Sequence, residues 1–325
     1  SFEKPVPISI KQVYVKTAVV GELRPYHLIY LLPEIDEIIS TVKPDLIQAG
    51  DLLSGAFLAT TDTIMENIPV ISMSWGRDIL YDAAQSTLSS WIVKQSLLGS
   101  DALICDCQTI EKAVVGFMDY IPDDFFIRIP WGVDLDKFQF KSKQPGKHTV
   151  ILSTRSWELI HGTMTILRAF HWAYRENKSM RLILLGEGSL RSSVNRYIQL
   201  NGLSEVIYRP GTVPHDSLAG FYHASDIYIS ASITDGTSVS LLEAMACGTL
   251  PVVSELPANR EWLDYDHPHS GKPEEFARKL LELAELSSTD RHIKTHSYRK
   301  IVEKRADWKY NIQVLFDAYN RFGRQ

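Results

Sequence analysis

Short apolar runs alternate with longer amphipathic stretches along most of this chain. "PDLIQAG", "IPVISMSWG", "DALICDC" and "FIRIP" each set apolar residues between turn residues, the signature of a short buried strand. Between them lie stretches with helical spacing, "SGAFLATTDTIMEN" and "TLSSWIVKQSLLGS". Strand, helix, strand in this rhythm predicts a parallel sheet covered on both faces. The polar stretch Lys141 to His148, "KSKQPGKH", carries Pro and Gly and suits a linker. After it the rhythm restarts with the strands "TVILSTR", "MRLILLGEG", "VIYRPG" and "DIYISAS". The helices "HGTMTILRAFHWAYREN", "LRSSVNRYIQLNG" and "HDSLAGFYHAS" separate them. The fold class expected is therefore α/β, with two Rossmann-like domains facing each other across a cleft. Open parallel sheets bind ligands at the carboxyl ends of their strands.

One stretch departs from plain packing: "ITDGTSVSLLEAMACGTLPVVSELPANREWL", Ile233 to Leu263. The strand "DIYISAS" ends near Ser230 to Ser232. A helix is expected over Leu241 to Cys247, closed by Gly248. The link "ITDGTSVS" supplies residues suited to N-capping and to close backbone approach. N–H groups at about Thr237 to Val239 lack partners inside the helix and sit at its positive end, an anion site that suits a diphosphate. Asp235 stands outside the helix and Glu243 about a turn and a half inside. A carboxylate accepts well from vicinal hydroxyls such as a ribose diol. Two acids around one phosphate-binding helix start fit a ligand with a sugar on each side of a diphosphate.

Asp235 and Glu243 resemble the E-x7-E motif of retaining glycosyltransferases of the two-domain GT-B type, in particular family 4. Four other stretches resemble that family in the right order: "WGVDLDKF", "ILSTRSWELIHGTMTILRAF", "LILLGEGSLR" and "YRPGTVPHDSLAGFYHASDIYISAS". They lead into "EAMACGTLPVVSELPANREW". The resemblance runs from Pro44 to about Trp262, and more loosely to the final helix "NIQVLFDAYNRF". It implies domains over residues 1–143 for the acceptor, with an incomplete first unit, and 144–305 for the nucleotide sugar. Residues 306–325 form a helix packing back toward the first domain.

Residue by residue, the resemblance implies that Arg155 contacts the donor diphosphate and that Gly236, Thr237, Ser238 and Val239 cradle it. Glu243 holds the ribose, Asp235 lies near the transferred sugar, and Val213 lies near the nucleobase. Asp78, in "WGRD", follows a strand and resembles the family's turn facing acceptor or donor sugar. Two positions depart from the pattern. Asp235 is one methylene shorter than the usual Glu. His161, with Gly162, stands where many members carry a Lys, and a neutral His supplies no fixed charge. The catalytic set expected is thus Arg155, Asp235 and Asp78, with no cofactor and no metal. The expected activity is a retaining transfer from a nucleoside-diphosphate sugar, by base rate a UDP-sugar, to a saccharide or lipid-linked saccharide acceptor. The implied setting is bacterial surface polysaccharide or glycolipid assembly, in the cytoplasm or peripherally at the inner face of the membrane. A nucleotide-sugar epimerase of the same shape and a non-catalytic nucleotide-sugar-binding subunit are the alternatives.

Composition narrows the field. The chain has 325 residues, enough for two ordinary domains, and no apolar run long enough for a membrane span. No signal-peptide pattern is visible. The start at Ser1 without Met leads to the expectation of a further N-terminal segment. Residues 1–140 carry 10 Lys and Arg against 19 Asp and Glu, net −9, whereas residues 141–325 carry 24 against 20, net +4. Neither half has a dense basic run, which argues against nucleic acid as a partner. Three cysteines do not make a disulfide scaffold, and a reducing compartment suits them. Cys105 and Cys107 read as small buried residues. Asp134 to Asp136, "DLD", reads as a turn rather than a metal motif, and "DYDHPH", Asp264 to His269, as a solvated loop. No G-x-G-x-x-G follows a first strand, which argues against a dinucleotide dehydrogenase.

Overall fold

The computed structural model describes residues 28–62, 68–143, 146–264 and 267–323. The expectation of an incomplete first unit before "VKPDLIQAG" falls largely on residues 1–27, outside the described residues. So do parts of the stretch "SGAFLATTDTIMEN", of the linker and of "DYDHPH".

Among the described residues nine short strands form two parallel sheets. The first has the order β1 (Ile47–Gly50), β2 (Val70–Ser74), β3 (Ala102–Cys105) and β4 (Phe126–Arg128). The second contains β5 (Thr149–Ser153), β6 (Met180–Leu185), β7 (Ile207–Gly211), β8 (Ile227–Ser230) and β9 (Leu250–Val253). Its order is β7-β6-β5-β8-β9. Burial explains the residue choice. Strands β3, β8 and β9 are buried at every position, as expected for strands covered on both faces. In the second sheet the chain winds outward from β5 in one direction and then, at β8, in the other. The switch point lies between β5 and β8, where an open sheet parts its loops to admit a ligand.

The helix Thr163–Glu176 buries Ile166, Leu167, Phe170 and Ala173 against this sheet, beside the helix Pro273–Ala284. On the other face, the helix Val239–Ala246 is buried from Leu241 to Ala246 and packs against the helix Ser288–Arg305. It starts two residues earlier than the sequence suggests. Gly248, at φ +78°, ends it as the pattern predicts, and Thr249 N returns to Ala244 O at 2.9 Å.

The chain crosses between the sheets twice, side by side. Val133 N donates to Ala306 O at 2.8 Å, and Trp308 N donates to Val133 O at 3.1 Å. Gly132 makes this approach possible: its φ is +99°, and a Cβ there would sit 2.4 Å from Ala306 O. The glycine of "WGVD" is therefore set by the crossing. The helix Trp308–Phe322 returns to the first sheet, where Leu315 and Ala318 pack with Ile71, Ala102 and Ile104. Its Tyr319 hydroxyl bonds Gln48, and Arg321 Nη2 donates to Asp124 O at 2.8 Å. Among the described residues no helix is long and apolar enough to cross a membrane.

Candidate functional site

Arg155 follows β5 and Asp235 follows β8, so the two sit on either side of the switch point. Arg155 Nη2 lies 3.0 Å from Asp235 Oδ2 and 3.0 Å from His161 Nδ1, and its Nε lies 3.3 Å from the same imidazole nitrogen. A guanidinium only donates, so His161 Nδ1 carries the lone pair and the ring proton is on Nε2. His161 is pushed down to about 4 by burial first and then by the charges of Arg155 and Arg77. It is neutral at pH 7, as its place near a cation requires. Asp235 is raised above the ordinary carboxylate range by burial, against the pull of Arg155 and the Gly236 N–H. Arg77, in the first domain, acts on His161 through its charge while its Nε pairs with Asp82 at 3.0 Å. It lies inside the "WGRD" turn that also holds Asp78, and an exposed Arg there gives no sequence signal of its own.

Glu243, on the first turns of its helix, is 3 % exposed. Its Oε2 accepts from the Tyr222 hydroxyl at 2.9 Å, and its Oε1 lies 2.8 Å from His215 Nε2. Lys137 Nζ lies 2.9 Å from His215 Nδ1. An ammonium only donates, so Nδ1 accepts and Nε2 carries the proton that goes to Glu243. Burial raises the Glu243 carboxyl, and its bonds to His215 and Tyr222 oppose that. Tyr222 and His215 give no sequence signal of their own; proximity to Glu243 is what marks them. Val213, two residues before His215, is half-buried against the same cluster.

The helix start itself differs from the expectation of a free cradle. Asp106, just past β3 in the first domain, fills it: Thr237 N donates to Asp106 Oδ1 at 3.0 Å. Thr237 Oγ1 donates to Asp106 O at 2.7 Å and receives Trp262 Nε1 at 3.3 Å. Gly236 is pressed from the same side. A Cβ on it would lie 2.4 Å from Asp106 Oδ1 and 2.7 Å from Trp75 O. Gly76, at φ +100°, faces it equally closely. Ser238 Oγ, at the N-cap position, is buried with no hydrogen-bond partner among the described residues. Val239 is part-exposed beside it. The contact is mirrored: Glu261, from the second domain, accepts from Gln108 N at 3.0 Å and Thr109 N at 2.8 Å, at the helix start following Asp106. Each domain thus places a carboxylate on a helix start of the other.

Asp78 is held inside the first domain. Its carboxylate accepts from Leu52 N at 2.9 Å, Ser74 Oγ at 2.6 Å and Ile79 N at 3.0 Å, which joins the loops after β1 and β2. It makes no hydrogen bond to Arg155 or Asp235. Its link to the site is the loop it braces, which presents Trp75 and Gly76 to Gly236. Asp134 Oδ1 accepts from Asp136 N at 3.0 Å, and Asp136 pairs with Lys309, so "DLD" is built as a turn. Among the described residues no three His, Cys, Asp or Glu side chains gather as a metal site. Cys105 and Cys107 are buried beside β3, and burial pushes both thiols up.

Two Rossmann-like sheets, with an arginine and an acid at the switch point of the second and a buried glutamate in the helix beyond, define the GT-B class. The sequence profile of "Glycosyl transferases group 1" matches residues 134–300, half of the chain, and the chain belongs to that family. It is 24 % identical over 183 residues to an alpha-monoglucosyldiacylglycerol synthase of Streptococcus pneumoniae, covering 52 % of this chain and 40 % of that protein. It is 22 % identical over 195 residues to a GDP-mannose:cellobiosyl-diphosphopolyprenol alpha-mannosyltransferase of Xanthomonas oryzae, covering 58 % and 51 %. The chain spans about half the length of the curated relatives it matches. Among solved structures, it resembles Anabaena Alr3699/HepE in complex with UDP, with a TM-score of 0.74 and 15 % identity over 90 % of this chain and 82 % of that one. Sucrose-phosphate synthase from Thermosynechococcus elongatus shares the fold with a TM-score of 0.77 and 15 % identity, covering 95 % and 82 %.

Proposed function

We propose that the chain is a retaining glycosyltransferase that moves a sugar from a nucleoside-diphosphate sugar, a UDP-sugar by preference, to an acceptor hydroxyl. The observation that carries this reading is the placement of Arg155, Asp235, the helix start and buried Glu243 around one switch point. That is the order of groups a sugar, a diphosphate and a ribose would meet in turn. In the reaction the bond from the sugar's anomeric carbon to the diphosphate oxygen breaks, and a bond to the acceptor oxygen forms on the same face. The acceptor's proton passes to the leaving phosphate. Arg155 and the N–H groups at the helix start offset the charge that develops there, and need no metal to do so. Neutral His161 holds the guanidinium in place rather than adding charge. Asp235 lies toward the transferred sugar, Glu243 takes the ribose diol, and Val213 lines the base. Asp78 serves by bracing the loop that faces the donor.

A glycolipid or polysaccharide-linked acceptor, reached by peripheral membrane association in the cytoplasm, belongs to the same proposal. The similar glucosyldiacylglycerol synthase and diphosphopolyprenol mannosyltransferase support it, as the UDP complex of HepE supports the donor. The seat of Asp106 on the helix start and the pairing of Asp235 with Arg155 favour one second reading, a non-catalytic nucleotide-sugar-binding subunit. Radiolabelled UDP-glucose, UDP-N-acetylglucosamine and GDP-mannose, each offered with diacylglycerol and with a polyprenyl-diphosphate sugar, separate the readings. Transfer with retained anomeric configuration supports the enzyme. A free epimer points to the epimerase. Binding without turnover leaves the subunit.

A further inference from the structure

The carboxylate of Asp106 stands where an anion belongs. It accepts from Thr237 N at 3.0 Å, at the positive end of the helix Val239–Ala246. At the N-cap of the same helix, next in the chain to Thr237, Ser238 Oγ is buried with no hydrogen-bond partner among the described residues. Both oxygens of Asp106 crowd Gly236, where no side chain fits. Resting on the donor reading above, we propose that Asp106 is a specificity residue of the phosphate subsite, a resident competitor that discriminates against the diphosphate product in favour of the sugar-bearing donor.

The discrimination follows from charge. A free diphosphate carries roughly one more negative charge on its terminal phosphate, above pH ~6, than the same diphosphate esterified to a sugar. Both must displace Asp106 from Thr237, and both then lie beside its carboxylate. The repulsion between neighbouring anions in a buried site acts more strongly on the more highly charged product. Product is therefore expelled as Asp106 returns to the helix start. Asp235 and Asp78 lie close enough to raise the Asp106 carboxyl further, while the Thr237 N–H and the Cys107 side chain lower it. Arg155, on the second domain's side of the site, is already paired with Asp235 at 3.0 Å. Burial pushes Asp106 up to about 7, so the effect is full at about pH 8 and relaxes below neutrality.

Calorimetry with UDP and UDP-glucose, and with GDP and GDP-mannose, at about pH 8 tests this on wild type, Asp106→Asn and Glu261→Gln. In Asp106→Asn, UDP is expected to bind roughly tenfold tighter and UDP-glucose roughly threefold, so their ratio shifts toward product. Glu261→Gln loosens the mirrored domain contact without touching the phosphate position, and its ratio should match wild type. Asp106→Ala serves as a second variant, and thermal melting checks that each is folded. Equal gains for product and donor, an equal shift in Glu261→Gln, or weaker binding in Asp106→Asn would each overturn the proposal. If none of the four nucleotides binds either wild type or variant, the donor reading itself fails and takes the proposal with it.

Discussion

Glu243→Gln isolates the charge of the buried acid from its shape. In the structure each carboxylate oxygen has one donor, Tyr222 on Oε2 and His215 on Oε1. A carboxylate has about four acceptor sites, so roughly half its capacity is left for the two hydroxyls of a ribose. In the Gln variant the amide oxygen keeps the His215 bond and the amide nitrogen faces the Tyr222 hydroxyl. That hydroxyl retains Ser240 O at 3.2 Å as an acceptor. No buried group is stranded, so thermal stability should hold or rise slightly as the desolvation of a charge is relieved. The ligand loses a hydrogen bond to a charged group, typically ~1.5–3 kcal/mol, which corresponds to roughly 10- to 150-fold weaker binding. The pH dependence has a definite sign. The ionised form binds the diol, and burial raises the Glu243 carboxyl, so affinity in wild type declines as pH falls through a value above the ordinary Glu range. The variant should lack that decline. Calorimetric titration of UDP and GDP between about pH 8 and pH 5 reads both effects. Unchanged affinity and an unchanged profile in Glu243→Gln would refute the ribose assignment.

Arg155→Ala should lower kcat by roughly 10²–10³ and raise the donor KM less, because its contribution grows as charge develops on the leaving group; near-normal turnover in a steady-state assay would shift that role to Arg77. Transfer activity should survive EDTA, and complete loss rescued by Mn²⁺ would contradict the metal-free reading of the "DLD" turn. For Asp106 the folded carboxyl lies at about 7, above its ordinary value, so the fold holds a proton that the unfolded chain releases. The stability this contributes is full in acid and is lost as pH rises to about 7. The melting temperature of Asp106→Asn should therefore gain on wild type between about pH 5 and pH 8, and parallel melting curves would count against it. Gly132→Ala forces a side chain onto Ala306 O at positive φ, a strain of order 1–3 kcal/mol before the clash is added. Several degrees of lost melting temperature are expected, and an unchanged curve would mean the crossing can shift.

Local pattern carried much of this protein. Eight of the nine strands among the described residues stand where apolar runs flanked by turn residues put them, because burial under helices favours continuous apolar sequence. β9, "LPVV", gives no strand signal of its own, since four residues so soon after a helix-ending Gly leave no period to detect. The helix Ser288–Arg305 is polar along much of its length and is placed by its packing on the helix Val239–Ala246. Asp235 and Glu243 are legible because their spacing around a helix start is local, whereas Arg155, far upstream, is marked by the resemblance of its strand-end loop to the family pattern.

What the sequence could not decide is what crosses between distant segments. Asp106 and Thr237 are 131 residues apart, and Gln108 and Glu261 are 153 apart. No periodicity relates them. Only the closure of the two sheets across the cleft puts an acid of one domain on the helix start of the other. The same holds for His215 over Glu243 and for Arg77 beside His161, whose roles come from the charge or hydrogen-bond partner that tertiary packing supplies. The sequence determined which elements form and which helix start attracts an anion. The tertiary structure decided which anion sits there, because electrostatic and hydrogen-bond partners are chosen by distance in space and not along the chain.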